Sequence, residues 1–324
     1  MSYTRQDYDL SHLTINVGTD CSGLEAPLVA LSLLNCNVIH KWSCDNDRYI
    51  KKHILKYHTP TYYYDDMMNR KHSNLPDIDL YICGWPCQNF STHNKNPMGF
   101  EGKDGTICFE AIKTIRAKQP KYFVLENVKG LISHNKGQTF QIIKDKLKKL
   151  KYNICYEILN TKDCGVPQNR ERLYILGIKD SPFYLKTPSV PCPDLKDFLI
   201  QSLKGTKEKC LIPRRLDALN KAVTKHNIDL NDDWIVTLGQ SAGNYTRATK
   251  NYCPCLTTSS WSYYVTSQER FLTLAEVKRL QGFPDSFDLD SVKSRAFKQL
   301  GNAMSVNVLY YIFYHILSVD NMNK

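Results

Sequence analysis

The sequence has no run of the ~18 apolar residues that a membrane-spanning helix needs, although 42% of its 324 residues are hydrophobic. The opening residues, Met1-Ser2-Tyr3-Thr4-Arg5-Gln6-Asp7, lack an apolar signal core, so secretion is not expected. No internal repeat or low-complexity block occurs, which argues against a repeat array. Metal-ligand spacing is missing as well. Cys253-Pro254-Cys255 is a tight pair, but no second pair completes a zinc-site pattern, and no metal is expected. Twelve cysteines scattered over a chain this long do not form a secreted disulfide scaffold and indicate a reducing compartment. A full dinucleotide fingerprint is absent too. The turn Asp20-Cys21-Ser22-Gly23-Leu24-Glu25 has Gly23 alone, where three glycines are required.

What is present is a basic excess and a regular rhythm. The 43 Lys and Arg residues outnumber 32 Asp and Glu for a net charge of +11, which suits a polyanionic partner, nucleic acid first. Lys144, Lys146, Lys148, Lys149 and Lys151 read instead as a solvated helix face. Short apolar runs alternate with amphipathic stretches through the first 180 or so residues. Strands are expected at Leu13–Val17, Asn37–Trp42, Leu80–Cys83, Tyr122–Leu125, Ile154–Leu159 and Arg172–Ile178. Helices are expected at Glu25–Leu34, Asp47–Tyr57, within Gly105–Lys118 and at Gln138–Leu150. This order predicts an α/β fold with a doubly wound, mostly parallel sheet that binds ligands at the carboxyl ends of its strands. Three prolines between Thr187 and Pro193 mark a boundary. The βα rhythm is then lost, as in a small irregular lobe. Thr273-Leu274-Ala275-Glu276 has capping-box spacing, and Asn302–Ile316 reads as a last apolar helix. The expected parts are 1–187, 188–265 and a segment 266–324 that returns to the first.

Several short strings carry chemistry. Pro86-Cys87-Gln88 ends the apolar run Asp79–Trp85 and opens a polar, glycine-containing stretch to Asp104. A thiol just past a strand end is well placed as a nucleophile for an electron-poor ring carbon, though free cysteine is equally a small core residue. Asp45, after the second strand, could hold ribose hydroxyls or cap a helix. Glu126 ends the strand Tyr122–Leu125 and could exchange a proton with a heterocycle or make a loop salt bridge. Arg170 and Arg172, two residues apart in Gln168-Asn169-Arg170-Glu171-Arg172, would share a strand face and suit carbonyl, carboxylate or phosphate.

Together these strings resemble the DNA (cytosine-5)-methyltransferases of the compact bacterial or viral type. The resemblance runs from about Ile15 to Ile316. It rests on Gly84-Trp85-Pro86-Cys87-Gln88-Asn89-Phe90-Ser91, Glu126-Asn127-Val128, Gln168–Arg172 and Gly301-Asn302-Ala303. It implies a Rossmann-like S-adenosylmethionine-dependent fold with a target-recognition lobe. Its implied chemistry is methyl transfer from S-adenosylmethionine to carbon 5 of a flipped cytosine in a short DNA sequence. Cys87 would add to carbon 6, and Glu126 would engage ring nitrogen 3 and the amino group. Arg172 would steady the base's carbonyl, with Arg170 beside it. The implied cofactor residues are Cys21, Ser22, Gly23, Leu24, Asp45, Asn46, Asp66, Met67, Pro86, Asn302 and Met304. Gln88, Ser91, Arg247, Lys250 and Thr257 would touch DNA, with Lys221, Lys225, Tyr245, Trp261 and Tyr263 as further lobe contacts. The chain departs from the family pattern in four places. Cys21 replaces an aromatic, Glu25 a glycine, and Asp45-Asn46 the more usual glutamate and apolar stacking residue. Cys255-Leu256 stands for Thr-Leu.

The implied partner is double-stranded DNA, bound by a soluble, intracellular monomer in a bacterial cytoplasm or a virus-infected cell. A cognate endonuclease of a restriction–modification system acting on the same site would be a second partner. Two other readings compete. One is cytosine-5 methylation of transfer RNA, which the Pro86-Cys87 motif fits equally. The other is a catalytically silent nucleic-acid-binding protein, against which the intact Cys87, Glu126 and Arg172 set argues.

Overall fold

The computed structural model describes residues 9–86, 106–179, 181–206, 210–239 and 246–318. The first part alternates as expected: β1 (Thr14–Asp20), α1 (Ala26–Leu33), β2 (Asn37–Cys44), α2 (Arg48–Tyr57), β3 (Tyr62–Tyr64), β4 (Leu80–Gly84), α3 (Ile107–Lys118), β5 (Tyr122–Val128), α4 (Gln138–Lys148), β6 (Asn153–Asn160), β7 (Gln168–Asn169) and β8 (Glu171–Ile178). Local chemistry sets the boundaries. The Asp47 carboxylate accepts the Tyr49 and Ile50 N–H groups and starts α2, satisfying donors that the first helical turn leaves open. Gln119, in the left-handed region, ends α3.

Seven strands form one sheet in the order β3-β2-β1-β4-β5-β8-β6. β3, β2, β1, β4 and β5 run parallel, and β8 lies antiparallel to β5. The central strands are covered on both faces and accordingly read as near-continuous apolar runs. Leu80, Tyr81, Cys83, Phe123 and Val124 are fully buried. Two glycines make room for rings. A Cβ at Gly18 would lie 2.5 Å from the Trp42 indole, and one at Gly177 2.0 Å from the ring of Phe123, its direct neighbour across β5 and β8. A buried ion pair lies at the carboxyl end of β1. Asp20 accepts from Arg70, from the Tyr81 hydroxyl at 2.6 Å and from the Trp42 indole at 3.1 Å. Of the expected lysine face, Lys146 and Lys148 on α4 and Lys149 just past its end are exposed, whereas Lys144 is half-buried over the Phe140 and Tyr156 rings.

The chain divides into two compact units. One holds the sheet residues up to Leu159, Glu171–Pro188 and the chain from Val308; the other holds Asn160–Arg170 and Ser189–Asn307. The second unit is more regular than its sequence suggests. It contains α5 (Pro213–His226), β9 (Trp234–Thr237), β10 (Ala248–Lys250), β11 (Cys253–Pro254), β12 (Tyr263–Val265), β13 (Arg270–Phe271), α6 (Leu274–Leu280) and α7 (Lys293–Asn302). A four-stranded sheet runs β10-β9-β12-β13, and β11 pairs with β7. Leu219, Ala222, Val236, Leu238 and Tyr264 form its core. The expected capping box is made: Thr273 Oγ accepts the Glu276 N–H, and Glu276 accepts the Thr273 N–H. Glu276 also pairs with buried Arg270.

The last helix differs from expectation. Asn302 ends α7, and α8 (Val306–Leu317) begins four residues later. The break is caused at Ala303, whose backbone is extended. Its carbonyl accepts from Arg170 and from Gln281, so it is not available to a continuing helix.

Gly177→Ala should destabilise the fold by about 1–3 kcal/mol, because the new methyl has to displace the Phe123 ring. The urea midpoint of the purified variant measures this, and an unchanged midpoint would contradict the packing.

Candidate active site

Glu126 sits near the end of β5, buried, opposite Gly84 of β4 on one side and Tyr174 of β8 on the other. The Arg172 Nε lies 3.3 Å from Glu126 Oε1, because Val128 and Arg172 are paired across the same two strands. Asn127, the next residue, donates its side-chain amide to the Trp85 carbonyl at 3.0 Å and accepts the Val128 N–H. The string Glu126-Asn127-Val128 therefore supplies a carboxyl, a tie to the segment that leads into Cys87, and the register that brings up Arg172. Pro86 follows Trp85 at the edge of the described chain and is half-buried. Cys87, Gln88 and Ser91 lie outside the described residues.

Arg170 and Arg172 do not share a face. The strand is interrupted at Arg170, and the two guanidinium groups serve different partners. Arg170 is 3% exposed and donates to the carbonyls of Leu256 at 2.8 Å, Ala303 at 2.9 Å and Gly301 at 3.4 Å. Gln168 donates to the Leu280 carbonyl and to Gln281, and it accepts the Leu256 N–H. Gln168, Arg170 and Gln281 thus form a buried clamp on backbone, an organising role that two arginines in a polar string do not reveal. Thr257 and Asn302 are exposed residues flanking the clamped carbonyls, and Met304 is buried. Gly301 is needed at this contact, since a Cβ there would meet the Thr257 backbone at 2.3 Å.

The turn after β1 is built as an open cradle. Gly23 adopts a positive φ, and nothing approaches within 4 Å of where its Cβ would be. The Gly23 N–H donates to Asp45 Oδ2 and the Asp47 N–H to Asp45 Oδ1, both at 3.0 Å. Burial raises the Asp45 carboxyl above its ordinary value. The Tyr63 hydroxyl donates to the Asp45 carbonyl at 2.7 Å. These residues fit an adenosyl group: a fixed carboxyl for ribose hydroxyls beside a glycine that leaves the backbone approachable. Other expected contacts are engaged in holding the turn. Ser22 is bonded to Cys44 N–H and to Thr19, and the Leu24 side chain is in the core. Cys21, with positive φ, is half-buried, and the Cys83 thiol beside it together with burial raises its thiol. Asn46 is exposed. Asp66 caps the short turn Met67–Asn69, accepting the Met68 N–H and the Asn69 amide, and Met67 is buried. Among the described residues, no group of three or more His, Cys, Asp or Glu could hold a metal ion.

Several proposed lobe contacts have other partners. Lys250 pairs with Asp232 at 2.6 Å and Lys221 with Asp217 at 2.7 Å. Tyr263 is buried and donates to the Cys255 carbonyl. Arg215 stacks on Trp261. Arg247 and Lys225 are surface residues, and Tyr245 lies outside the described residues.

A mostly parallel sheet, with a carboxyl at the end of β5 paired to an arginine of the antiparallel β8, is the architecture of a Rossmann-like methyltransferase. The model of the C-5 cytosine-specific DNA methylases matches residues 21–318. The chain belongs to that family and is a DNA (cytosine-5)-methyltransferase. It is 38% identical over 243 residues to the Type II methyltransferase M.NgoBI of Neisseria gonorrhoeae, covering 73% of each chain. It is 35% identical over 272 residues to M.HaeII of Haemophilus aegyptius, covering 80% of each. The fold is also that of a putative DNA modification methyltransferase from an E. coli prophage, with a TM-score of 0.69 at 20% identity, over 95% of this chain and 99% of that one. Among the described residues no helix is long and apolar enough to cross a membrane.

Arg170→Lys should lower stability by about 1.5–3 kcal/mol, since hydrogen bonds from a charged buried donor are lost. A denaturation midpoint equal to that of the unaltered protein would instead return Arg170 to the reacting site.

Proposed function

We propose that this enzyme methylates carbon 5 of a flipped-out cytosine in a short double-stranded DNA sequence through a covalent Cys87 adduct. The observation that carries the assignment of roles is the Glu126–Arg172 pair at the adjoining ends of β5 and β8. Bound S-adenosylmethionine supplies the methyl group as an electrophile, with Asp45 and the Gly23 turn holding its ribose end. Cytosine carbon 5 is a poor nucleophile in an intact ring. A bond from the Cys87 thiolate to carbon 6 moves an electron pair toward carbon 5 and makes it reactive. Glu126 holds a proton at ring nitrogen 3 and so offsets the charge that develops there. Arg172 lies within reach of the same base and donates to its carbonyl oxygen, a role its planar donors suit. Once carbon 5 is methylated, loss of its proton to a base restores the double bond and expels the Cys87 thiolate. Flipping the cytosine out of the duplex costs a few kcal/mol, which protein contacts to the displaced base and backbone offset. Gln88, Ser91, Arg247 and Thr257 are assigned to DNA, and the basic excess supplies the phosphate attraction.

We assign the enzyme to the reduced interior of a cell, acting as a monomer, with a companion endonuclease for the same site. Incubation with mixed-sequence DNA followed by sequencing for 5-methylcytosine gives activity and target together.

Cys87→Ala should abolish methyl transfer while leaving S-adenosylmethionine binding within about twofold. Glu126→Gln and Arg172→Lys should each slow turnover on the order of 10²–10⁴-fold. DNA containing 5-fluorocytosine should trap the intact enzyme in a stable adduct and leave the Cys87→Ala protein free. Methyl transfer by the Cys87→Ala protein would overturn the mechanism.

A further inference from the structure

Glu25 occupies a position that the chain has no steric reason to give to a glutamate. Its φ is +54°, a left-handed conformation that ordinarily selects glycine. It is the residue immediately before α1 and is completely buried. Its carboxyl turns under the Asp20–Gly23 turn. Oε1 lies 2.7 Å from Thr19 Oγ1 and 2.6 Å from Ser43 Oγ, while Oε2 is buried with no partner among the described residues. Thr19 is bonded in turn to Ser22, and Ser22 to the Cys44 backbone. Ser43 Oγ lies 3.0 Å from His40 Nε2, and His40 Nδ1 faces the His58 carbonyl. Thus the side chain joins β1, β2 and the cofactor turn through one set of hydroxyls.

The protonation state follows from this set. An ionised carboxylate with one bare, buried oxygen is costly, whereas a neutral acid leaves only a weak carbonyl acceptor unpaired. The short contact then runs from a Glu25 O–H to Ser43 Oγ, while His40 Nε2, 3.7 Å from Glu25 Oε1, also faces the Trp42 carbonyl at 3.1 Å. We propose that Glu25 is a positioning residue of the cofactor turn, carried as the neutral acid, and that its ionisation loosens the turn and weakens cofactor binding. The inference rests on reading the Asp20–Glu25 turn as the S-adenosylmethionine cradle.

Burial raises the Glu25 carboxyl to about 8. The other titratable groups facing it are few. His40 on β2 is pushed down by burial, Asp45 beyond β2 is pushed up by burial and repels a charged Glu25, and Tyr63 on β3 is pushed up by burial. Helix α1 carries no charged residue. The folded protein holds the Glu25 proton more tightly than the unfolded chain, whose ordinary value is 4.5. Its contribution to stability is therefore full below that value, declines as pH rises toward about 8, and levels off above.

The test compares the intact enzyme with Glu25→Gln, which keeps the shape and removes the titration. S-adenosylmethionine binding is measured by calorimetry between about pH 6 and 10, and urea stability without cofactor is measured in the same buffers. Relative to Glu25→Gln, the intact enzyme should lose affinity above about pH 8, approaching tenfold per unit for one proton, and should lose stability between about pH 5 and 8. Parallel profiles for the two proteins, in both measurements, overturn the proposal. No binding to either protein at any pH would indict the cofactor reading instead, while the stability comparison still decides the state of Glu25. Should Glu25→Gln fail to fold, carboxyl-labelled glutamate is followed by NMR in otherwise intact protein and in Glu126→Gln. A glutamate that titrates near pH 8 in both supports the neutral acid; if every glutamate carboxyl titrates below about pH 6, the proposal fails.

Discussion

The register of β5 against its two neighbours is the constraint on which the reacting end of the molecule depends. Parallel pairing with β4 puts Glu126 beside Gly84, the residue before Trp85 and Pro86. Antiparallel pairing with β8 puts Arg172 across from Val128 and within 3.3 Å of the same carboxyl. A slip of one residue in either pairing would turn Glu126 to the opposite face of the sheet. Buried rings resist such a slip. Phe123 of β5 fills the space left by Gly177 of β8, and Trp42 of β2 fills that left by Gly18 in the same way between β1 and β2.

The sheet end also shows three ways of keeping a carboxyl out of water. Asp20 is paired with a buried arginine and two further donors. Asp45 has a backbone N–H on each oxygen. Glu25 has hydroxyls on one oxygen and nothing on the other. Pairing favours the charged form, and burial without compensating donors favours the neutral one.

Much of the sheet half could be read from the chain because its cues are local. Asp47 before an amphipathic run acts as the spacing suggests, as does Thr273 before Glu276 in the second unit, and apolar runs form strands at the expected places. The Glu126–Arg172 pair is legible through family motifs rather than periodicity. What escaped was set by tertiary partners. Arg170 looks like a surface or ligand arginine, yet its three acceptors are carbonyls 86 to 133 positions away in sequence. The helix expected from Asn302 is broken because two side chains capture the Ala303 carbonyl. Helix α7 is not legible in the sequence because only Ala296, Phe297 and Leu300 of its mostly polar residues carry the apolar stripe. For α5 a signal was there: Pro213 in the first turn and Asn227 in the left-handed region just past the end. The pairing of Lys250 with Asp232 and of Lys221 with Asp217 is likewise a tertiary or helical contact that composition alone does not show.

The cysteines have a practical consequence. Burial raises the thiols of Cys36, Cys44, Cys108, Cys164 and Cys253 above the ordinary value, so at neutral pH they persist as unreactive S–H groups. An electrophile that attacks thiolates sorts sulfur atoms by ionisation and access rather than by number. Though the chain has twelve cysteines, these five are silent toward such a reagent, which is left to sort among the more accessible sulfurs, exposed Cys192 included.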